Sequence, residues 1–404
     1  MLARRAASAQ DASGRSRIGR CMSIGQMSER FPSTALELRS TVTSSGELRL
    51  TLEDAPVPEP GEGEVVLRVE AAPLNPSDLL VLLGPTDATS LRATGSADRP
   101  AVLGDVSPAG LERSRARLDR AIPVGTEGAG VVVRAGAGAE SLVGRVVATR
   151  TPGVYAEYKL AKVADCIVMP EGTAPRDAAS AFINPLTVLG MVETMRREGF
   201  TGIVHTAAAS NVGQMLVRLC AAEGIPLVNV VRSEEQAKTL AALGARYVVD
   251  SSASSFTAAL TDAVAEAGAM LGFDAIGGGT MASTILQCME SAALRRTSGF
   301  LRYGTSTPKQ VYIYGVLDAR PTEVTRSYGA AWGVGGWLMT WCMQKLGPEV
   351  EARLRARIAS EIKTTFATTY GATIGLKALV DPEALRAANK RATGGKLLID
   401  PSAR

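Results

Sequence analysis

A run of small residues, Thr206-Ala207-Ala208-Ala209-Ser210-Asn211-Val212-Gly213, sits where an apolar stretch, GIVHTAA, gives way to a helical one, VGQMLVRLCAAEG. Small side chains at such a turn let the backbone approach a pyrophosphate, and the amides and positive dipole end of the helix start receive its charge. Ser210, Asn211, Val212 and Gly213 are therefore candidate cofactor-binding residues. Only the last glycine of G-x-G-x-x-G is present, so an ordinary tight turn between strand and helix is the alternative reading. Roughly twenty residues beyond such a loop, the second strand of a dinucleotide site ends near the adenosine ribose. Here the strand ends Asn229-Val230-Val231-Arg232-Ser233. An acidic side chain would suit a free ribose diol, whereas a guanidinium and a hydroxyl suit a 2′-phosphate, so Arg232 and Ser233 point to NADPH. Glu234 and Glu235 follow and could pair with Arg232 instead.

What the chain lacks narrows the chemistry further. It has a single histidine, His205, which removes His-rich metal sites and most Ser-His-Asp arrangements. His205 lies inside the first strand of the alternating region and is read as structural. Five cysteines, Cys21, Cys166, Cys220, Cys288 and Cys342, show no C-x-x-C spacing, against both a disulfide framework and a thiolate metal cage. Lys plus Arg exceeds Asp plus Glu by only 44 − 40 = 4 over 404 residues, too little to advertise nucleic-acid binding.

Two segments bear on location. The first thirty residues carry Arg4, Arg5, Arg15, Arg17, Arg20 and Arg30 against Asp11 and Glu29, which fits an organellar, for example mitochondrial, transit peptide; an untargeted tail on a cytoplasmic protein is the alternative. Between Arg326 and Lys345 an uncharged stretch holds Trp332, Trp337 and Trp341. Gly329, Gly333, Gly335 and Gly336 spoil it as a membrane helix, so a buried or subunit-facing segment is expected, consistent with a homodimer and no membrane span.

The elements that must position these residues fall into two rhythms. From about residue 36 to 170 short strands are punctuated by Gly and Pro, as in a small β-barrel or sandwich. Within it, Gly110 to Arg120 reads as an exposed helical insertion with a solvated charged face. After Asn184 strands and helices alternate, with uninterrupted apolar strands, which argues for an α/β unit with a parallel sheet covered on both faces. The closing KLLID reads as a short strand that could complete the first unit.

The ordered motifs AAPLNPSD (71–78), PVGTEGAGVV (123–132), GVYAEY (153–158), NPLTVLG (184–190), AASNVGQM (208–215), LGARYVVD (243–250), FDAIGGG (273–279) and TGGKLLI (393–399) can be taken together. With them the chain resembles the medium-chain dehydrogenase/reductase superfamily, in its zinc-free branch of quinone oxidoreductases and 2-enoyl thioester reductases. The resemblance implies a leader over 1–35, a GroES-like β-barrel domain over 36–186 completed by 346–404, and a Rossmann doubly wound parallel-sheet domain over 187–345. It also implies a nicotinamide cleft between the domains, lined by the catalytic candidates Asn75, Asp78 and Thr187. Tyr303 and Gly304, read as RYG ending a late strand, correspond to a cofactor-contacting turn.

Where zinc members of that superfamily place ligands, this chain has Asn75 and Thr126, so a catalytic zinc is excluded. The tyrosine that serves proton transfer shortly after N-P-S-D in enoyl thioester reductases is missing from LLVLLGPTDATS. The expected activity is zinc-independent hydride transfer from NADPH to a small electron-poor acceptor, an enone, a quinone or a 2-enoyl thioester. Asn75, Thr187 and backbone amides are candidate donors to the developing enolate, and Tyr155, Asp78 or water candidate proton sources, Tyr155 being read as a barrel-face aromatic. The alternatives are a strict quinone reductase and an NADPH-binding protein with little turnover.

Overall fold

The structure, a computed structural model, describes residues 31–389 and 395–403. The predicted transit peptide lies outside the described residues. Twelve elements position the site: α1 (Pro76–Leu82), α2 (Ile183–Arg197), β1 (Ile203–His205), α3 (Asn211–Glu223), β2 (Leu227–Val231), α4 (Glu234–Ala242), β3 (Tyr247–Asp250), α5 (Phe256–Ala267), β4 (Leu271–Asp274), α6 (Met281–Leu294), β5 (Lys309–Ile313) and β6 (Trp332–Gly336). The six strands form one parallel sheet in the order β3-β2-β1-β4-β5-β6. Strand order reverses beside β1, which opens a crevice at the carboxyl ends of β1 and β4, the place where doubly wound sheets take ligands.

The sequence dictates this arrangement simply. Every residue of β2, Leu-Val-Asn-Val-Val, is buried, as a strand covered on both faces by helices requires. One core, containing Leu216, Leu219, Leu227 and Leu271, lies on one side of the sheet, and a second, containing Val228, Val230, Leu260, Ile285 and Met289, on the other. Helix α3 stops at Gly224, whose φ of +65° is the left-handed cap that ends helices without a Cβ penalty.

The other lobe is built of two mainly antiparallel sheets around a third core that includes Leu38, Leu50, Leu67, Val132 and Val147. One sheet has five strands; the other has seven, at whose centre Glu64–Pro73 pairs with Gly128–Ala135 on one side. On the other side it pairs with Tyr158–Lys162 and, near its end, with the chain's closing strand Lys396–Ile399. The helical insertion is shorter than its charge pattern suggested. It consists of a helix over Pro108–Arg113 and one 3-10 turn over Arg115–Arg117. Its face is not wholly solvated, because the Arg117 guanidinium turns inward to the Val81 carbonyl and Ser40 Oγ. The Trp-rich stretch forms β6 and the helix Met339–Leu346, and no described helix is long and apolar enough to cross a membrane.

Candidate active site

The crevice is built from the turn after β1. Ser210 caps α3, its hydroxyl accepting the Gly213 amide at 3.2 Å. A Cβ on residue 213 would lie 2.0 Å from the Ala208 carbonyl oxygen, so only glycine lets the helix start this close to the strand end. Ala207 takes a φ of +50°, a left-handed conformation uncommon for a residue with a Cβ. The turn is tied to the facing loop by a buried bridge: Thr206 Oγ1 donates to Asp274 Oδ1 at 2.7 Å and accepts the Ala275 amide at 2.8 Å. Asp274 also accepts the Ile276 and Gly277 amides, which fixes the turn after β4. From the C-terminal part of the chain, Thr368 Oγ1 accepts Asn211 Nδ2 at 3.2 Å, and Arg218 on α3 donates to the Thr365 and Ala367 carbonyls.

A second polar cluster belongs to the other lobe. Asn75 precedes α1, and Asp78 reaches back to its amide through Oδ2 at 2.8 Å, one half of a capping box. Asp78 Oδ1 accepts Thr126 Oγ1 at 2.6 Å, and Tyr155 OH lies 3.1 Å from Oδ2 and 3.0 Å from the Pro73 carbonyl oxygen. Asn75 Nδ2 donates to Glu127 Oε1 at 2.9 Å, while Glu127 Oε2 takes the amides of Phe182 and Ile183 at the start of α2. The largely buried Lys396 ammonium stands 4.0 Å from Glu127 and donates to Ser180 Oγ at 3.3 Å, an oxygen shared with Tyr370 OH. Burial pushes the carboxyls of Asp78 and Glu127 above their ordinary values, against the opposing pull of their hydrogen bonds and of Lys396. Burial likewise lowers Lys396 and raises the Tyr155 phenol well above its ordinary value, Asp78 adding to the latter.

The model of the family described as zinc-binding dehydrogenase matches residues 211–313. An NADPH:quinone reductase from Mesorhizobium loti superposes with a TM-score of 0.68 at 25% identity, over 92% of this chain and 99% of that one. Both matches support a place in the medium-chain dehydrogenase/reductase superfamily. Escherichia coli quinone oxidoreductase, solved with NADPH, shares the fold at a TM-score of 0.62 and 19% identity, over 91% of this chain and all of that one, 100%. Among curated relatives, the mitochondrial enoyl-[acyl-carrier-protein] reductase of Xenopus tropicalis is 29% identical over 50% of this chain and 51% of that protein. Prostaglandin reductase-3 of Mus musculus is 26% identical over 47% of this chain and 44% of that protein. The chain thus spans about half the length of the curated relatives it matches. The zinc in the family description does not fit this chain. Asn75 and Thr126 offer an amide and a hydroxyl already engaged with Glu127 and Asp78, and neither is a thiolate or imidazole.

The predicted site residues fall into four groups. Ser210, Asn211, Val212 and Gly213 come together at the start of α3, and Arg232 and Ser233 follow β2 on the same carboxyl edge of the sheet. Glu234 pairs with Lys238 at 2.8 Å rather than with Arg232. Asn75 and Asp78 share the buried cluster. Thr187 is buried on α2, where its hydroxyl donates to the Ile183 carbonyl at 2.6 Å.

Tyr303 and Gly304 are corrected, for they do not end a strand. They lie in the turn before β5, at the amino edge of the sheet, beside the buried Glu290–Lys309 ion pair. The string that does run into the crevice from β5 is Tyr314-Gly315. Tyr155, read as a face aromatic, is fully buried and bonded to Asp78. Thr126, Glu127, Lys396, Thr206 and Asp274 were not singled out as site residues, although the quoted motifs contain four of them.

His205 is structural. It is fully buried, its Nε2 lies 2.7 Å from Tyr314 OH, and its Nδ1 has no partner among the described residues. Burial lowers its pKa from 6.5 to about 3. Between those values the unfolded chain binds a proton that the folded chain refuses, so stability falls as pH drops through the window and is fully retained above it. The loss over the window is on the order of 5 kcal/mol. In urea unfolding followed across pH, His205→Gln should flatten this acid limb; parallel curves for variant and parent would contradict the assignment.

Proposed function

We propose that this chain is an NADPH-dependent, zinc-independent reductase of activated double bonds. The observation that carries the reading is the exposed Arg232 guanidinium, without an ion pair among the described residues, on the sheet edge that also holds the Ser210–Gly213 turn. The likeness to solved quinone reductases, one of them with NADPH, supports it. Residues Ser210 to Gly213 would receive the pyrophosphate, and Arg232 with Ser233 the 2′-phosphate. When bound, the reduced nicotinamide supplies a hydride. Asn75, which gives one amide hydrogen to Glu127, has a second to offer the carbonyl oxygen on which negative charge develops.

The acceptor class is read as enones, quinones or 2-enoyl thioesters, in line with relatives named enoyl and prostaglandin reductases. Following NADPH absorbance with one acceptor of each class tests the reading. Tight NADPH binding with no acceptor consumed would favour a binding protein of little turnover. Relatives named as mitochondrial and the Arg-rich leader support a matrix location. The outer edge of β6, with Trp332, Leu338 and Trp341 exposed nearby, supports a homodimer, for which sedimentation at the monomer mass would be the contrary result.

A further inference from the structure

We propose that Thr126 and Asp78 form a proton-delivery pair for the carbon that is protonated in alkene reduction, with Thr126 as the last donor. The inference rests on the reductase reading above. Saturating a conjugated double bond consumes a proton as well as a hydride, and the chain has no tyrosine in the segment after Asn75-Pro76-Ser77-Asp78. What it has instead is a closed set of donors around one carboxyl group. Asn75 N and Tyr155 OH converge on Asp78 Oδ2, and Thr126 Oγ1 alone reaches Oδ1, at the shortest distance of the three, 2.6 Å.

Burial decides the direction of traffic. Asp78 and Tyr155 are closed off from solvent, at 1% and 0% exposure. Thr126 is half-buried and is the member through which the set meets its surroundings. Its neighbour Glu127 grips both Asn75 and the start of α2, so the outlet sits next to the candidate donor for the substrate oxygen. The charged and titratable groups facing Asp78 are Tyr155, Lys396 and, through Asn75, Glu127. Burial outweighs the pull of Thr126, the Asn75 amide, Tyr155 and Lys396 and holds the Asp78 carboxyl above its ordinary value, the direction that favours a stored proton.

Once hydride has added to the β-carbon, the former π electrons reside on the carbonyl oxygen of an enolate. As the enolate collapses, the α-carbon forms a C–H bond with the Thr126 hydroxyl proton, and the Asp78 carboxyl proton passes to Thr126 Oγ1. Asp78 is left as the carboxylate that the three donors stabilise, and it regains a proton from water through Thr126 after product leaves. Tyr155 is a positioning residue, holding Oδ2 so that Oδ1 faces Thr126.

The test uses the full chain with two acceptors. An enone needs protonation at carbon, whereas a quinone takes its protons on oxygen, where exchange with water is fast. Thr126→Val should lower the ratio of enone to quinone reduction by roughly 10²-fold, the usual worth of a positioned proton donor, with Thr126→Ser restoring it. A second readout needs no turnover: the infrared band of a protonated carboxyl should be present in the parent, absent in Asp78→Asn and shifted in Thr126→Val. An unchanged ratio in Thr126→Val, or a parent with no carboxyl band assignable to Asp78, overturns the relay and leaves the reductase reading intact. A parent that reduces neither acceptor overturns both.

Discussion

Replacing Arg232 with glutamate is expected to weaken NADPH binding by roughly 10- to 150-fold, the equivalent of 1.5–3 kcal/mol for hydrogen bonds to a charged group. NADH, which lacks the 2′-phosphate, should bind about as before. The asymmetry follows from what surrounds the side chain. Its backbone amide donates to Gln236 Oε1 at 3.1 Å, and Ser233 caps α4 by accepting the Gln236 amide at 3.3 Å, so the backbone at the end of β2 is held while the guanidinium stays available. The one acidic neighbour whose pairing is defined, Glu234, is occupied by Lys238. Arg232→Lys keeps the charge and loses the fork that matches phosphate, so it should fall between the parent and the glutamate variant. Because the site is exposed, the preference for NADPH should also shrink as salt rises. Fluorescence titration with both cofactors reads all of this; equal weakening of NADPH and NADH would remove Arg232 from the phosphate site.

The position of Arg232 at the end of β2 was legible because it depends on local order alone: a buried strand, its last residue and the side chain that follows. The same holds for the parallel sheet, since β1, β2 and β4 are short, mainly apolar runs, and for the tight turn, whose Gly213 is the one residue the Ala208 carbonyl tolerates. What failed was whatever local strings imitate or distant contacts decide. RYG resembles a strand end, yet the strand with the right burial is Lys309–Ile313, and the chain turns toward it only after Gly304. That the Thr187 hydroxyl bonds the carbonyl four residues back is decided by the helix and not by the neighbouring letters. Tyr155 and Asp78 are 77 positions apart, and nothing in either neighbourhood announces their contact. Glu127 is the plainest case. A glutamate between glycines reads as a surface turn, and only the approach of α2, Asn75 and Lys396 makes it buried.

That burial sets up a large stability effect. Glu127→Leu should cost roughly 3–5 kcal/mol, the usual penalty for removing one partner of a buried ion pair. Three donors lose their acceptor at once: Asn75 Nδ2 and the amides of Phe182 and Ile183. The two amides open α2, so their loss also removes a carboxylate from the positive end of that helix. Lys396 meanwhile keeps its charge with the Ser180 hydroxyl and the Asp78 carboxyl left to answer it. Removing the cation as well, in Glu127→Leu with Lys396→Met, should therefore cost less than the two single changes added together, because no uncompensated charge is left behind. Urea unfolding of the four proteins gives the coupling directly. Strict additivity would show that the 4.0 Å approach of Lys396 to Glu127 carries no energy and that the carboxylate serves only its three neutral donors. In that case Lys396→Met alone should leave stability nearly unchanged, and α2 would owe its docking to Glu127 and not to the closing strand.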